Sequence, residues 1–257
     1  ILHRRLPPEV ATMKPTKLLV WTTMLLISAC GTGDQSDLRE SRAPEAGGLE
    51  APAETEAERG AAEEAAASER FQLGTHYQRL TPTQPTSSGP ERVEVAEVFW
   101  YGCPHCYTFE PYLARWQETK PDYVSFVRIP AVWNPLVELH ARAFYTAAAL
   151  GKGEEMHDAF FAEIHERGAL LDSKDALAEF FGRFGVDREA FESAFESFDV
   201  HTQVQRAEEL SRRYRIESVP SVVVNGKYTA NASMAGGYEE LIALIDELAA
   251  SERPANR

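Results

Sequence analysis

The sequence predicts an α/β fold built from two separated pieces of sheet, with a block of helices between them. Three observations carry this. A β-branched and aromatic run at 93–100 leads into a helical stretch opening at Cys103, and a second apolar run follows at 123–129. Four segments with helical spacing then occupy 138–198. A β-rich tetrapeptide, Ser221-Val222-Val223-Val224, runs into Asn225-Gly226, a hairpin turn signal, and the chain closes on an amphipathic segment at 238–250.

The elements follow in order. Residues 77–80 read as a short first strand, and 81–90, rich in Pro, Thr and Ser, as a loop. The run 93–100 reads as a buried central strand. Pro104 stands at the first helical position, where its missing N–H costs nothing, and the helix ends before Pro121. Strand, helix and strand in that order imply a right-handed parallel crossover. Helices are expected at 138–151, 154–168, 174–184 and 188–198. Leu177, Phe180, Phe181 and Phe184 share one face, and Phe191, Phe195 and Phe198 another; such spacing points to burial. Gly151, Gly168 and Gly185 stand where helices stop. A further helix spans 200–214, and 227–230 is the antiparallel partner of 221–224.

Upstream, the chain is of a different kind. Met13 reads as the initiator, Lys14 and Lys17 as a positive n-region, and 18–27 as a short apolar stretch ending in small residues, the pattern of an export signal. Residues 31–70 hold eleven acids against four bases and almost no bulky apolar side chains. Such a stretch cannot bury enough apolar surface to offset chain entropy and is expected to be disordered. As a coil its root-mean-square reach is on the order of 35 Å, enough for a tether. Residues 71–257 carry a net charge of −10, which argues against nucleic acid and anionic lipid as partners.

The chain has three cysteines: Cys30, Cys103 and Cys106. An exported domain with a single Cys-x-x-Cys pair is a redox candidate. A thiol attacks a disulfide only as thiolate. Cys103 at a helix start places unpaired N–H groups and the positive dipole end at its sulfur. His105 adds a positive charge or a donor. Cys106 lies one turn on, on the same side, where it can close a small disulfide ring and should be less exposed than Cys103. The competing use of such a pair is half a zinc site, but no second pair exists and the seven histidines have no metal-type spacing. His140, His157, His165 and His201 read as surface or helix-face residues, and neither a metal nor a cofactor beyond the two sulfurs is expected.

The segment Phe99-Trp100-Tyr101-Gly102-Cys103-Pro104-His105-Cys106-Tyr107, continued by Phe109-Glu110, closely resembles the active-site segment of the DsbA family of thiol:disulfide interchange proteins. Ser218-Val219-Pro220-Ser221-Val222-Val223-Val224-Asn225-Gly226-Lys227-Tyr228 resembles that family's cis-proline loop and following hairpin. The likeness covers roughly residues 75–250. It implies a thioredoxin-like fold with an inserted helical domain: 75–135 and 200–250 forming the thioredoxin-like part, 136–199 the insertion, 251–257 a tail, 31–74 the tether and 1–30 the upstream residues and signal. It also implies a periplasmic enzyme that oxidises newly exported polypeptides and is reoxidised by a DsbB-type membrane partner. Cys103, Pro104, His105 and Cys106 would be its catalytic motif, and Val219 and Pro220 would receive an extended substrate by strand addition. Glu97, on a strand face expected to be buried, matches an acid near the buried cysteine. The family's usual basic partner is a lysine; here Arg128 is the nearest base, and arginine tunes charge rather than passing protons. Ser28-Ala29-Cys30 after Ile27 resembles a lipoprotein lipobox, which would make Cys30 a lipid-bearing anchor. The alternatives on the same residues are a reductase or isomerase, and a lipid-tethered holdase without enzymatic activity.

Overall fold

The computed structural model describes residues 70–254. The upstream segment with Cys30, and nearly all of the tether, lie outside the described residues. Five strands form one mixed sheet in the order β1-β5-β4-β2-β3: β1 (Gln78–Arg79), β2 (Val93–Phe99), β3 (Val124–Pro130), β4 (Ser221–Val224) and β5 (Tyr228–Ala230). Only β2 and β3 run parallel, with Glu97 opposite Arg128; the other pairs are antiparallel. Every residue of β2 is buried, as a central strand covered on both faces requires.

The helix α1 (Pro104–Thr119) makes the crossover between β2 and β3. It continues through Pro111, which cannot donate to the carbonyl one turn back, and stops at Lys120 before Pro121. The inserted helices are α2 (Pro135–Ala149), α3 (Gly153–His165), α4 (Lys174–Gly182) and α5 (Arg188–Phe195), followed by the long α6 (Phe198–Arg213). Side-chain caps start most of them: Asn134, Ser173, Asp187 and Ser197 each accept from a backbone N–H in the first turn. The short helix α7 (Ala232–Ala235), which the sequence pattern does not announce, is capped by Asn231 and leads into α8 (Tyr238–Ser251).

Two cores flank the sheet. On one face Val93, Val95, Val222 and Val224 pack with Phe109, Leu113 and Trp116 of α1 and Leu241, Leu244 and Ile245 of α8. On the other, Ala96, Val98, Ile129 and Val223 pack with Val137 of α2 and Ala207 of α6. The insertion has its own aromatic core of Phe160, Phe161, Phe180, Phe181, Phe191 and Phe195, and this core is continuous with Phe99, Tyr101, Cys103 and Cys106. The helices of the insertion therefore form one wall of the cysteine site. Among the described residues no helix is long and apolar enough to cross a membrane.

Several expectations need correction. Phe198 is 79% exposed: Ser197 caps a new helix, so Phe198 starts α6 and leaves the face shared by Phe191 and Phe195. His140 and His157 are buried core residues, because α2 and α3 turn those faces toward the cysteine site. Phe71 is buried in the sheet core, which brings the start of the folded part ahead of residue 75.

Candidate active site

Strand β2 ends at Phe99, and a short turn through Trp100, Tyr101 and Gly102 carries the chain to Cys103. Trp100 O accepts the backbone N–H of Cys103 at 2.9 Å, which closes that turn. A methyl group on Gly102 would sit 2.3 Å from the Trp100 ring, so the indole lies where any side chain at position 102 would go. Cys103 is the N-cap of α1, with φ −87° and ψ 116°, and Pro104 occupies the first turn. The Cys103 Sγ accepts from the Cys106 backbone N–H at 3.4 Å. The sulfur thus takes the place of a capping oxygen, aimed at the unpaired N–H groups of the helix start.

Both cysteines are free thiols, and their surroundings are unequal. Cys103 retains slight exposure, whereas Cys106 has none. The Cys103 thiol is lowered to about 6, first by the hydrogen bond from the Cys106 side chain, with burial opposing, then by the Cys106 and His105 backbone N–H groups; the charge of His105 is the smallest of these contributions. The helix start and the second thiol thus outweigh the side chain at His105. Burial, together with the hydrogen bond to Cys103 and the charge of Glu97, raises Cys106 far above the ordinary thiol range. One sulfur is easily ionised and its neighbour holds its proton.

The loop before β4 faces this pair. The Val219–Pro220 peptide is cis, as the family likeness implied, and so is Thr81–Pro82. The Val219 carbonyl oxygen lies 3.4 Å from Cys103 Sγ. A groove of about 680 Å³ runs from there, lined by His105, Val219, Pro220, Asn231 and Tyr238 among others. Tyr238 OH donates to His105 O at 3.2 Å, tying α8 to the first turn of α1.

Beneath the sulfurs lies a buried charged floor. Glu97 is completely buried, and Arg128 bridges it to Glu110 on α1: Arg128 Nε is 3.4 Å from Glu97 Oε2, and Nη2 is 2.8 Å from Glu110 Oε2. On the far side His157 Nε2 lies 3.2 Å from Glu110 Oε1. Burial, reinforced by the Glu110 charge, raises the Glu97 carboxyl well above the ordinary carboxylate range despite Arg128. Glu110 goes the other way: against the effect of burial, the His157 ring and the Arg128 guanidinium hold it low. The pairing of Glu97 with Arg128 follows from the parallel register; Glu110 and His157 were not anticipated. One signal for Glu110 was available. It sits four residues after Cys106, on the helix face that also buries Phe109 and Leu113, where a carboxylate needs a partner.

Glu110, His157 and Asp158 are the group among the described residues whose ligand atoms could converge on a metal, lying within 4.8 Å of one another. The Arg128 guanidinium already holds the second oxygen of Glu110, and its positive charge works against a cation there.

Residues 128–248 match the family model of the DSBA-like thioredoxin domain. The thiol:disulfide interchange protein DsbA of Pseudomonas aeruginosa strain PAO1 is 39% identical over 191 residues, covering 74% of this chain and 90% of that protein. DsbA of Azotobacter vinelandii is 40% identical over 185 residues, covering 72% and 86%. Alignments of this length in a chain of 257 residues necessarily include the Cys103–Cys106 segment. The crystal structure of P. aeruginosa DsbA superposes with a TM-score of 0.69 at 39% identity, covering 72% of this chain and 96% of that one. The oxidoreductase DsbA from Xylella fastidiosa gives 0.67 at 30% identity, covering 71% and 98%. A sheet interrupted by helices, a cysteine pair at a helix start facing a cis-proline loop, and relatives of this closeness together place the chain in the DsbA family of thiol:disulfide oxidoreductases with a thioredoxin-like fold.

Proposed function

We propose that this chain is a thiol oxidase of exported polypeptides, with the Cys103–Cys106 disulfide as its working group. The observation that carries the reading is the asymmetry of the two thiols: Cys103 is lowered to about 6 and Cys106 is raised. A stabilised Cys103 thiolate stabilises the reduced protein, and that makes the oxidised form eager to accept electrons; DsbA is itself the standard example of this behaviour.

A substrate thiolate attacks Cys103 Sγ, the Cys103–Cys106 bond breaks, and Cys106 leaves and takes a proton. Glu97, held toward its neutral form by burial, is the nearby acid suited to supply that proton. A second substrate thiolate then attacks the substrate sulfur of the mixed disulfide, and Cys103 leaves as thiolate. The substrate loses two electrons and its disulfide forms; the enzyme gains those electrons as a dithiol. Val219 and Pro220 line the groove beside Cys103, where an extended substrate can pair with the Val219 backbone. Arg128, bridging two carboxylates, sets the charge of the floor and cannot relay a proton.

A DsbB-type membrane protein that passes electrons to quinone restores the disulfide. The protein works in the periplasm, held to a membrane by lipid on Cys30. Support for the anchor is the lipobox-like Ser28-Ala29-Cys30 and the acidic, apolar-poor stretch behind it. Cys103→Ser should abolish oxidation of a reduced, unfolded substrate, and the wild-type couple should equilibrate with glutathione as a strong oxidant. Residual turnover in Cys103→Ser, or a couple as reducing as ordinary structural disulfides, rules the oxidase reading out.

A further inference from the structure

All three histidines that the insertion presents to the core side aim a ring nitrogen at the turn between β2 and Cys103. His140 on α2 lies with Nδ1 3.0 Å from Trp100 Nε1. His157 on α3 lies with Nδ1 3.0 Å from the Tyr101 hydroxyl. His165, at the end of α3, lies with Nε2 2.8 Å from the Tyr101 carbonyl oxygen. The His165 ring also stacks on Tyr107, the residue after Cys106, with centroids 4.9 Å apart and planes within 8°. Two residues of turn are thus held at three points by the inserted helices.

That turn meets the cysteine pair directly. Trp100 O accepts from the Cys103 N–H, and Tyr101 packs in one buried cluster with Cys103 and Cys106. The indole lies against Gly102 so tightly that a side chain there would overlap it.

The His140 contact has only one possible direction. An indole N–H can only donate, so His140 Nδ1 accepts, and Nε2 carries the proton toward Leu171 O at 3.3 Å. Burial lowers His140 to about 4, so the neutral ring this arrangement needs is the form present at working pH. Leu171 takes φ +47°, a conformation uncommon for leucine, while its side chain is buried and its carbonyl meets the ring.

We propose that His140, assisted by His165, is a positioning residue for the Cys103–Cys106 couple: it fixes the Trp100–Tyr101 turn, and through that turn the aim of the α1 start at Cys103 Sγ. The inserted helices then set how strongly the site oxidises, beyond walling it. This inference rests on the oxidase reading, and the two are separable: the wild-type potential tests the reading, and the difference between variants and wild type tests the inference.

The test uses the purified full chain. His140→Leu removes the acceptor, and His140→Asn restores one where Nδ1 stood. The equilibrium constant with glutathione and the pH profile of Cys103 alkylation by iodoacetamide are measured for each. His140→Leu should be roughly three- to tenfold less oxidising, with the alkylation midpoint moved up in pH, because an orphaned indole N–H frees the turn. His140→Asn should stay within about twofold of wild type, since a side-chain amide oxygen accepts as the imidazole did. Should His140→Leu not fold, His165→Phe serves at a partly exposed position: it keeps the stack on Tyr107, removes the donor to Tyr101 O, and should move both readouts in the same direction. A folded His140→Leu or His165→Phe with wild-type potential and titration overturns the proposal, as does a His140→Asn no better than His140→Leu.

Discussion

The rim and the floor of the site solve opposite problems. At the rim, the Cys103 thiolate is favoured chiefly by the Cys106 thiol, backbone N–H groups and a helix start, with the His105 charge adding least, because the sulfur caps the helix. On the floor, Glu97, Arg128, Glu110 and His157 crowd into a largely buried space, and a single guanidinium must serve two carboxylates. Charge at the rim stabilises the reduced form. Charge on the floor costs stability, since Glu97 leaves both oxygens without a well-formed hydrogen bond. The rim works through local geometry, the floor through compensation across four elements.

The largest effect is expected from Arg128→Met. Removing the shared guanidinium leaves two buried carboxylates facing each other, and urea unfolding at neutral pH should show a loss of about 3–5 kcal/mol. A loss under about 1 kcal/mol would mean that the floor is solvated and the contrast with the rim false.

Glu97→Gln should act with the opposite sign. A carboxyl whose folded value is raised contributes stability fully below its ordinary range, and that contribution is lost as pH rises through the raised folded value. At neutral pH the wild type is therefore on the costly side or approaching it, and Glu97→Gln should be more stable by about 1–3 kcal/mol. The gain should vanish in acid, where Glu97 is protonated anyway. A variant that is less stable than wild type at neutral pH would show that Arg128 fully compensates Glu97.

His105→Ser should have the smallest effect. The side chain's charge is the least of the influences lowering Cys103, so the couple should become less oxidising by no more than about tenfold, roughly 1.4 kcal/mol. A loss of a hundredfold would move control of the rim from the helix start to this one ring.

This contrast also explains what could be read from the chain. Everything at the rim is contiguous: Gly102, Cys103, Pro104, His105 and Cys106 lie along one strand-to-helix turn, and strand propensity, a first-turn proline and i to i+3 spacing suffice to place them. Val219 and Pro220 could be identified as a site only through family likeness; their residues fix a strand start, and only the fold carries Val219 O to within 3.4 Å of a sulfur 116 residues away. Phe198 shows the limit of periodicity, since one capping serine changed its face.

By itself the sequence determined the strands, every helix but the short α7, the cysteine pair and the polarity of α1, because these depend on neighbours within a turn or two of chain. Tertiary structure alone decided that Glu110 and His157 complete the floor, and that His140 and His165 grip the turn before Cys103. The histidine contacts join residues 40 to 64 positions apart, and no local pattern distinguishes a histidine facing water from one facing a buried indole.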